Sequence, residues 1–384
     1  MKHMHPLIVS LGLFKDSGGP VKTIGKFKQA LAAEAYSIAD PKRLDRDPVA
    51  VEGTIGIPSS RIPILRQLNY LSNKGKTDLI EAAKSASIIS CHSFYRYHVR
   101  IVEQLFHDEG IPYWFVPHGI LDPWVFQKQR ILKSAFWKLI GNSFLDNCKT
   151  VVFSTRAERD KAASQFSLPS SSIIPWPVDV VKLENAEQKR EMTRAQYGIP
   201  QNARLLLYFG RLHSMKCPLE TIQAVGSMSN PDLYLIMLGN ENDVTKEQCL
   251  SAAKKSGLGE RLVFTGPVYG DAKYDIINCS DAYISLSFRE NFNHTAAECL
   301  AARKPVILSP GNDLLSEFEN VDCHIPMRST EQVDVRDSIT EFLERSDKEL
   351  TELGSRGQKW VSEKLSFEQF QESLRDLVAE HGIS

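Results

Sequence analysis

The chain opens with a short apolar run that leads directly into glycines. Pro6-Leu-Ile-Val-Ser-Leu-Gly-Leu-Phe14 is followed by Asp16-Ser-Gly-Gly-Pro20, and then by Ile24, Phe27 and Leu31 at helical spacing. A continuous apolar run, a glycine turn and an amphipathic helix form the entrance to an α/β sheet. Further short apolar runs at residues 86–90, 112–116 and 150–154 are separated by longer segments of helical periodicity, which predicts a parallel sheet with crossover helices. From about 168 to 202 the pattern breaks. Pro169, Pro175, Pro177 and Pro200, several serines and a charged stretch at 184–194 read as an interdomain connection with one short helix. A second series of strands is expected at 204–210, 233–238, 262–265, 282–286 and 305–308, with helices such as 218–228 and 295–302 between them. The expected fold class is therefore α/β, with two doubly wound domains of similar size. Ligands in such sheets bind beyond the carboxyl ends of the strands, and a cleft between the domains is the default site.

Charge and composition narrow the partners. With 46 Lys plus Arg against 47 Asp plus Glu, the net charge of -1 gives no global field to attract nucleic acid or an anionic membrane, so any such contact must be local. Seven scattered cysteines without a Cys-x-x-Cys pair suit reduced, mostly buried thiols rather than zinc or a redox site. The apolar run at 7–14 is short, ends at Lys15-Asp16 and lacks a small-residue cleavage site, so it makes a poor signal peptide. No apolar run reaches membrane-spanning length. The expectation is a cytoplasmic protein unless it docks at a surface.

Two elements of the second half carry chemistry. In Phe209-Gly-Arg-Leu-His-Ser-Met-Lys-Cys-Pro218, a strand ends in Gly210 and is followed by Arg211 and Lys216 before a helix. Two cations beside a helix N-terminus suit a diphosphate, since Arg offers a two-pronged fork and Lys a mobile point charge. Solvated loop charges are the plain alternative. In Arg289-Glu-Asn-Phe-Asn-His-Thr-Ala-Ala-Glu298, Glu290 follows a strand, 291–294 turn tightly, and Glu298 lies on the helix that begins there. Carboxylates accept hydroxyl hydrogen bonds, as holding a sugar and a ribose requires. The alternative is an early helical Glu that complements the macrodipole.

Together these elements resemble glycosyltransferase family 4, whose Gly-Arg-x4-Lys loop binds the donor diphosphate and whose Glu-x7-Glu element binds the donor sugar and ribose. Here they are Gly210, Arg211, Lys216, Glu290 and Glu298, with Asn291, Phe292, Asn293 and His294 in the turn. The resemblance implies a GT-B fold, two Rossmann-like domains facing a central cleft, with the C-terminal helix returning to the first domain. It implies an acceptor-binding domain over 1–178, completed by about 366–384, and a nucleotide-sugar-binding domain over 179–365. It covers nearly the whole chain, including Ser17-Gly18-Gly19-Pro20 as a glycine loop facing the phosphates and 360–367 as the returning segment. Three departures stand out. Glu-Asn-Phe-Asn replaces the family's usual Glu-Gly-Phe-Gly, and Asn tolerates the left-handed region better than most residues. Lys216-Cys217 replaces Lys-Gly, and Trp176-Pro-Val-Asp179 replaces Asn-Gly-Val-Asp.

In the first half, Pro117-His-Gly-Ile-Leu-Asp-Pro-Trp124 follows a strand. The resemblance assigns His118 a position near the reacting carbon of the donor sugar. Asp122 and Trp124 are acceptor candidates, Trp124 by stacking on a sugar or, equally, as a core residue. Residues 127–140 set Ile131, Leu132, Ala135, Phe136, Leu139 and Ile140 on one helical face, with Lys128, Arg130, Lys133 and Lys138 around it. That helix either faces the core with a solvated basic side, or lies at an interface such as the inner membrane face.

The resulting expectation is a cytoplasmic, retaining hexosyltransferase of polysaccharide biosynthesis. It would use a nucleotide diphosphate sugar, UDP-glucose or UDP-galactose first, and a glycan or lipid-linked saccharide hydroxyl as acceptor. No metal or other cofactor and no nucleic acid are expected; the nearest Asp-x-Asp, Asp45-Arg-Asp47, sits in a Pro-flanked loop. Two rivals share the architecture: a sugar-nucleotide epimerase and a catalytically silent sugar-nucleotide-binding subunit.

Overall fold

The computed structural model describes residues 5–14, 18–63, 65, 70–127, 129–180, 184–318 and 320–381. The chain divides into two compact units, Met1–Pro177 with Phe367–Ser384, and Val178–Ser366. Among the described residues the first unit holds a seven-stranded sheet: β1 (Pro6–Leu11), β2 (Glu34–Ala39), β3 (Thr54–Pro58), β4 (Ile88–His92), β5 (Tyr113–Val116), β6 (Val151–Phe153) and β7 (Ser171–Ile173). Their spatial order is β3-β2-β1-β4-β5-β6-β7, and every pairing is parallel. The second unit holds β8 (Arg204–Phe209), β9 (Leu233–Leu238), β10 (Leu262–Gly266), β11 (Ala282–Ser285), β12 (Val306–Leu308) and β13 (His324–Ile325), again all parallel, in the order β10-β9-β8-β11-β12-β13.

The order reverses beside the first strand of each sheet: β1 lies between β2 and β4, and β8 between β9 and β11. At such a switch point the loops leaving adjacent strands diverge and open a crevice at the carboxyl edge. The loops at that edge of the second sheet follow β8 and β11, and these carry Lys216 and Glu290.

Several strands lie outside the expected set. β2 and β3 carry Ser37, Gly56 and Thr54 among their apolar residues, and β7 is Ser-Ser-Ile, so none forms a continuous apolar run. β7 also corrects the reading of 168–202 as a connection, since it is the last strand of the first sheet. The charged stretch is a correction too. Helix Ala186–Gln196 belongs to the second unit, where the fully buried Arg194 donates to the carbonyls of Cys279, Gln201 and Ala203 and pairs with Asp281 at 3.0 Å. A buried Arg at the sheet edge satisfies carbonyls that apolar residues would orphan.

The chain returns to the first unit at helix Phe367–Glu380. Phe370 meets Phe27 edge-on at 5.0 Å, Phe27 meets Trp176 at 5.5 Å, and Gln371 donates to the Ala30 carbonyl at 3.2 Å. Trp360 lies earlier, in helix Asp347–Lys364 of the second unit, against Phe318.

The helix expected over 127–140 differs in its facing; Lys128 lies outside the described residues. An α-helical stretch Arg130–Phe136 passes into a π-turn Trp137–Gly141 and on to helix Asn142–Asn147. Phe136, Trp137 and Ile140 pack against the core, whereas Ile131, Leu132 and Leu139 are exposed. The expected single apolar face is thus split. The wider π-turn changes the register, and a Cβ at Gly141 would stand 2.8 Å from the Trp137 ring and 3.2 Å from Phe94.

Candidate functional site

In the second unit β8 ends at Phe209, and Gly210 turns the chain toward a short 3-10 turn, Ser214–Lys216. A Cβ at Gly210 would approach Lys216 Cδ to 2.9 Å, so the missing side chain leaves room for the lysine stem to pass back over the strand end. His213 Nδ1 accepts from the Met215 N–H at 3.0 Å, and Asp243 accepts from the backbone and side chain of Ser214 at 2.8 and 2.6 Å. Arg211 is exposed, and its guanidinium pairs with no carboxylate among the described residues.

Lys216 Nζ reaches the Glu290 carboxylate, 74 residues away, and the Ser287 hydroxyl donates to the same oxygen at 3.2 Å. The loop that carries Glu290 is gripped from the next strand end: its N–H donates to the Gly311 carbonyl at 2.9 Å, and its own carbonyl accepts from the Asp313 N–H at 2.8 Å. The Lys216 cation and the Glu290 carboxylate, from two separate loops, are therefore brought together as one group.

The turn that follows is ordered by Asn293. Its backbone is left-handed, φ 53° and ψ 68°, and its Oδ1 accepts from the Ala296 N–H at 3.1 Å, capping helix His294–Ala301. Its Nδ2 donates to Asn312 Oδ1 at 2.6 Å. Phe292 is buried beneath the turn, and His294 opens the helix with its ring 5.0 Å from that of Phe292. Asn291 lies in the same turn, half-buried. Glu298 is separate from the Lys216–Glu290 pair. It forms an ion pair of 3.0 Å with Lys273, both side chains about nine-tenths buried. Sequence reasoning missed Lys273, Ser287 and the 311–313 loop, none of which has a spacing that marks it in advance.

In the first unit Gly18 turns with φ 73° and ψ -139°, a conformation open to glycine, immediately before helix Gly19–Leu31. Asp16 and Ser17, the rest of the expected glycine loop, lie outside the described residues. His118, at φ 52° beyond β5, shares a hydrogen bond of 2.9 Å with His92, the last residue of β4. His92 in turn bonds Ser90 Oγ at 2.9 Å, and that oxygen accepts from the Trp114 indole. Burial, then His118 and His98, hold His92 well below the usual imidazole range. A neutral ring carries one N–H, so Ser90 and His118 take opposite roles toward it, one donating and one accepting. Trp176 packs against His118, ring centroids 5.6 Å apart. Gly119 N–H donates to the buried Glu158 at 2.6 Å, which fixes the loop. His92 and Glu158 were also missed, being a strand residue and a helix residue with no motif around them. Asp122 is engaged locally, accepting from the Trp124 N–H at 2.8 Å with Lys161 at 3.9 Å. Trp124 is half-buried on the short helix Pro123–Gln127.

Residues 189–360, which hold Gly210, Arg211, Lys216, Glu290 and Glu298, match the family described as "Glycosyl transferases group 1". Among curated proteins the chain is 24% identical over 179 residues to a D-inositol 3-phosphate glycosyltransferase of Corynebacterium diphtheriae, covering 44% of this chain and 42% of that protein. The match spans less than half the length of the first curated relatives. Whole-chain likeness comes from solved structures. Anabaena HepE in complex with UDP has a TM-score of 0.78 at 16% identity, covering 98% of this chain and 100% of that one. A sucrose-phosphate synthase of Thermosynechococcus elongatus has 0.76 at 17%, covering 98% of each. The fold is that of the GT-B glycosyltransferases.

Proposed function

We propose that this protein is a retaining glycosyltransferase that moves a hexose from a UDP-sugar to a hydroxyl of a glycan or lipid-linked saccharide in polysaccharide biosynthesis. The observation that carries the reading is the Lys216–Glu290 pair, drawn from the loops after β8 and β11 beside a helix N-terminus and within the matched segment. UDP is favoured because structures of the neighbour HepE were obtained with UDP and with UDP-glucose.

In this reading Arg211 and Lys216 stabilise charge developing on the leaving diphosphate, the role a metal plays elsewhere, and activity persists in EDTA. Gly18 and Gly19 offer backbone to the phosphates. Glu290 accepts from sugar hydroxyls, Glu298 from the ribose, and His118 is assigned to the sugar by the resemblance alone. The attacking hydroxyl passes its proton to a leaving phosphate oxygen, so no protein nucleophile is required. A donor screen that reads free nucleoside diphosphate with and without acceptor glycans tests this. A transferase releases UDP with acceptor present, an epimerase converts donor without acceptor, and a silent subunit binds without turnover. Loss of turnover in EDTA, restored by manganese, would remove the metal-independent step.

A further inference from the structure

Ile131, Leu132 and Leu139 are 85%, 69% and 78% exposed, on a segment whose other large apolar residues, Phe136, Trp137 and Ile140, are packed against the core. Single exposed aliphatics are ordinary, but three on one short element, joined by the exposed Ala135 at helical spacing, make a continuous stripe. Arg130 and Lys138, both exposed, run along one side of it. Lys133 is turned inward, donating to the Val125 carbonyl with its ammonium 5.3 Å from the Tyr95 ring, which holds the segment to the body of the unit.

The charge around this stripe selects its occupant. No Asp or Glu occurs between Pro123 and Leu145, although the chain as a whole has 47 in 384 residues, while Lys128, Arg130, Lys133 and Lys138 all fall within that stretch. A chain of net charge -1 thus has a stretch of sequence with four basic residues and no acidic one, and two of the four, the exposed Arg130 and Lys138, accompany the exposed apolar stripe. Two copies of this face would repel, whereas an anionic lipid surface both neutralises the cations and takes up the aliphatic side chains. No helix among the described residues is long and apolar enough to cross a membrane, so the contact lies in the interface plane.

We propose that Arg130–Gly141 docks the first unit on an anionic lipid bilayer, with Ile131, Leu132 and Leu139 inserted at the headgroup level and Arg130 and Lys138 against lipid phosphates. This does not depend on the transferase reading and is tested without nucleotide. Flotation of the full chain uses vesicles of phosphatidylcholine alone and of phosphatidylcholine mixed with phosphatidylglycerol. The expected result is binding to the mixed vesicles only, weakened by salt. A contact of about 1 kcal/mol per basic residue corresponds to about fivefold each, so Arg130→Glu with Lys138→Glu weakens partitioning by about 25-fold or more. Ile131→Ser with Leu132→Ser and Leu139→Ser weakens it by about tenfold or more while the melting temperature holds, because these side chains are exposed. Equal binding by the triple variant, equal binding to both vesicle types, no binding to the mixed vesicles, or a dimer in sedimentation that the triple variant dissolves would each overturn the proposal.

Discussion

Asn293 combines two tasks that Gly and Ser each perform singly: it adopts the left-handed turn and also supplies the side-chain cap and the bond to Asn312. Asn293→Gly keeps the turn but leaves the buried Asn312 short of a partner, and should cost about 1–3 kcal/mol in urea denaturation. Asn293→Ala should cost about 1 kcal/mol more, because a Cβ opposes the left-handed backbone. An Asn293→Gly variant as stable as the parent would remove the cap argument. The two carboxylates should also fail differently. Glu290→Gln removes the charge that faces Lys216 and, in the proposed reading, weakens the hold on the sugar hydroxyls, so turnover should fall while affinity for free UDP stays close to normal. Glu298→Gln unbalances Lys273 in a nearly buried pair, so it should lower stability by about 1–3 kcal/mol as well as weaken UDP binding. Calorimetry with UDP alongside thermal melting ranks the two, and the opposite ranking would exchange their roles.

At the level of elements, β4 and the helix His98–Glu109 after it bury two imidazoles. Burial pushes His98 down to about 4, against the opposing effect of its bonds to the His92 and Ser93 carbonyls, and His92 lies well below its usual value. The unfolded chain binds these protons from about pH 6.5 downward, while the folded chain leaves His98 neutral until about pH 4. Stability should therefore be complete above pH 6.5 and fall between 6.5 and 4, by on the order of 3 kcal/mol for His98. Urea midpoints at neutral and acidic pH check this, and His98→Gln should flatten the decline; an unchanged slope would mean that other groups carry it. The same elements show what a sequence displays. β5, β8 and β9 are nearly unbroken apolar runs and are visible at once, and Ile88-Ile89 mark the start of β4. β7 is three residues held by pairing with β6, and β13 is two, so their strand character comes from neighbours rather than composition. The Lys216 and Glu290 motifs were legible because each follows its strand directly. Their pairing was not, since it depends on β8 and β11 being adjacent.

At the scale of the whole molecule, the chain builds two sheets with separate cores, yet the first unit is closed by residues from the far end of the sequence. Phe370, Leu374, Leu377 and Val378 are buried on helix Phe367–Glu380, and Phe370 covers Phe27 and Trp176. Burying an aliphatic or aromatic side chain contributes about 1.5–3 kcal/mol, so four together approach the roughly 5–15 kcal/mol by which a whole domain is stable. Ending the chain after Ser366 should therefore unfold or severely loosen the first unit while the second, which includes none of those residues, remains folded. Tryptophan provides the readout, because Trp114, Trp124, Trp137 and Trp176 lie in the first unit and Trp360 alone in the second. The truncated chain should show the red-shifted emission of exposed indoles, yet keep a cooperative circular-dichroism transition. In the proposed reading it should also retain measurable UDP affinity, reduced by the loss of the Gly18 and Gly19 backbone contacts, since Arg211, Lys216, Glu290 and Glu298 all belong to the second unit. Native-like tryptophan emission after truncation would show that the first core closes without its C-terminal helix, and loss of the remaining transition would show that the two units fold as one.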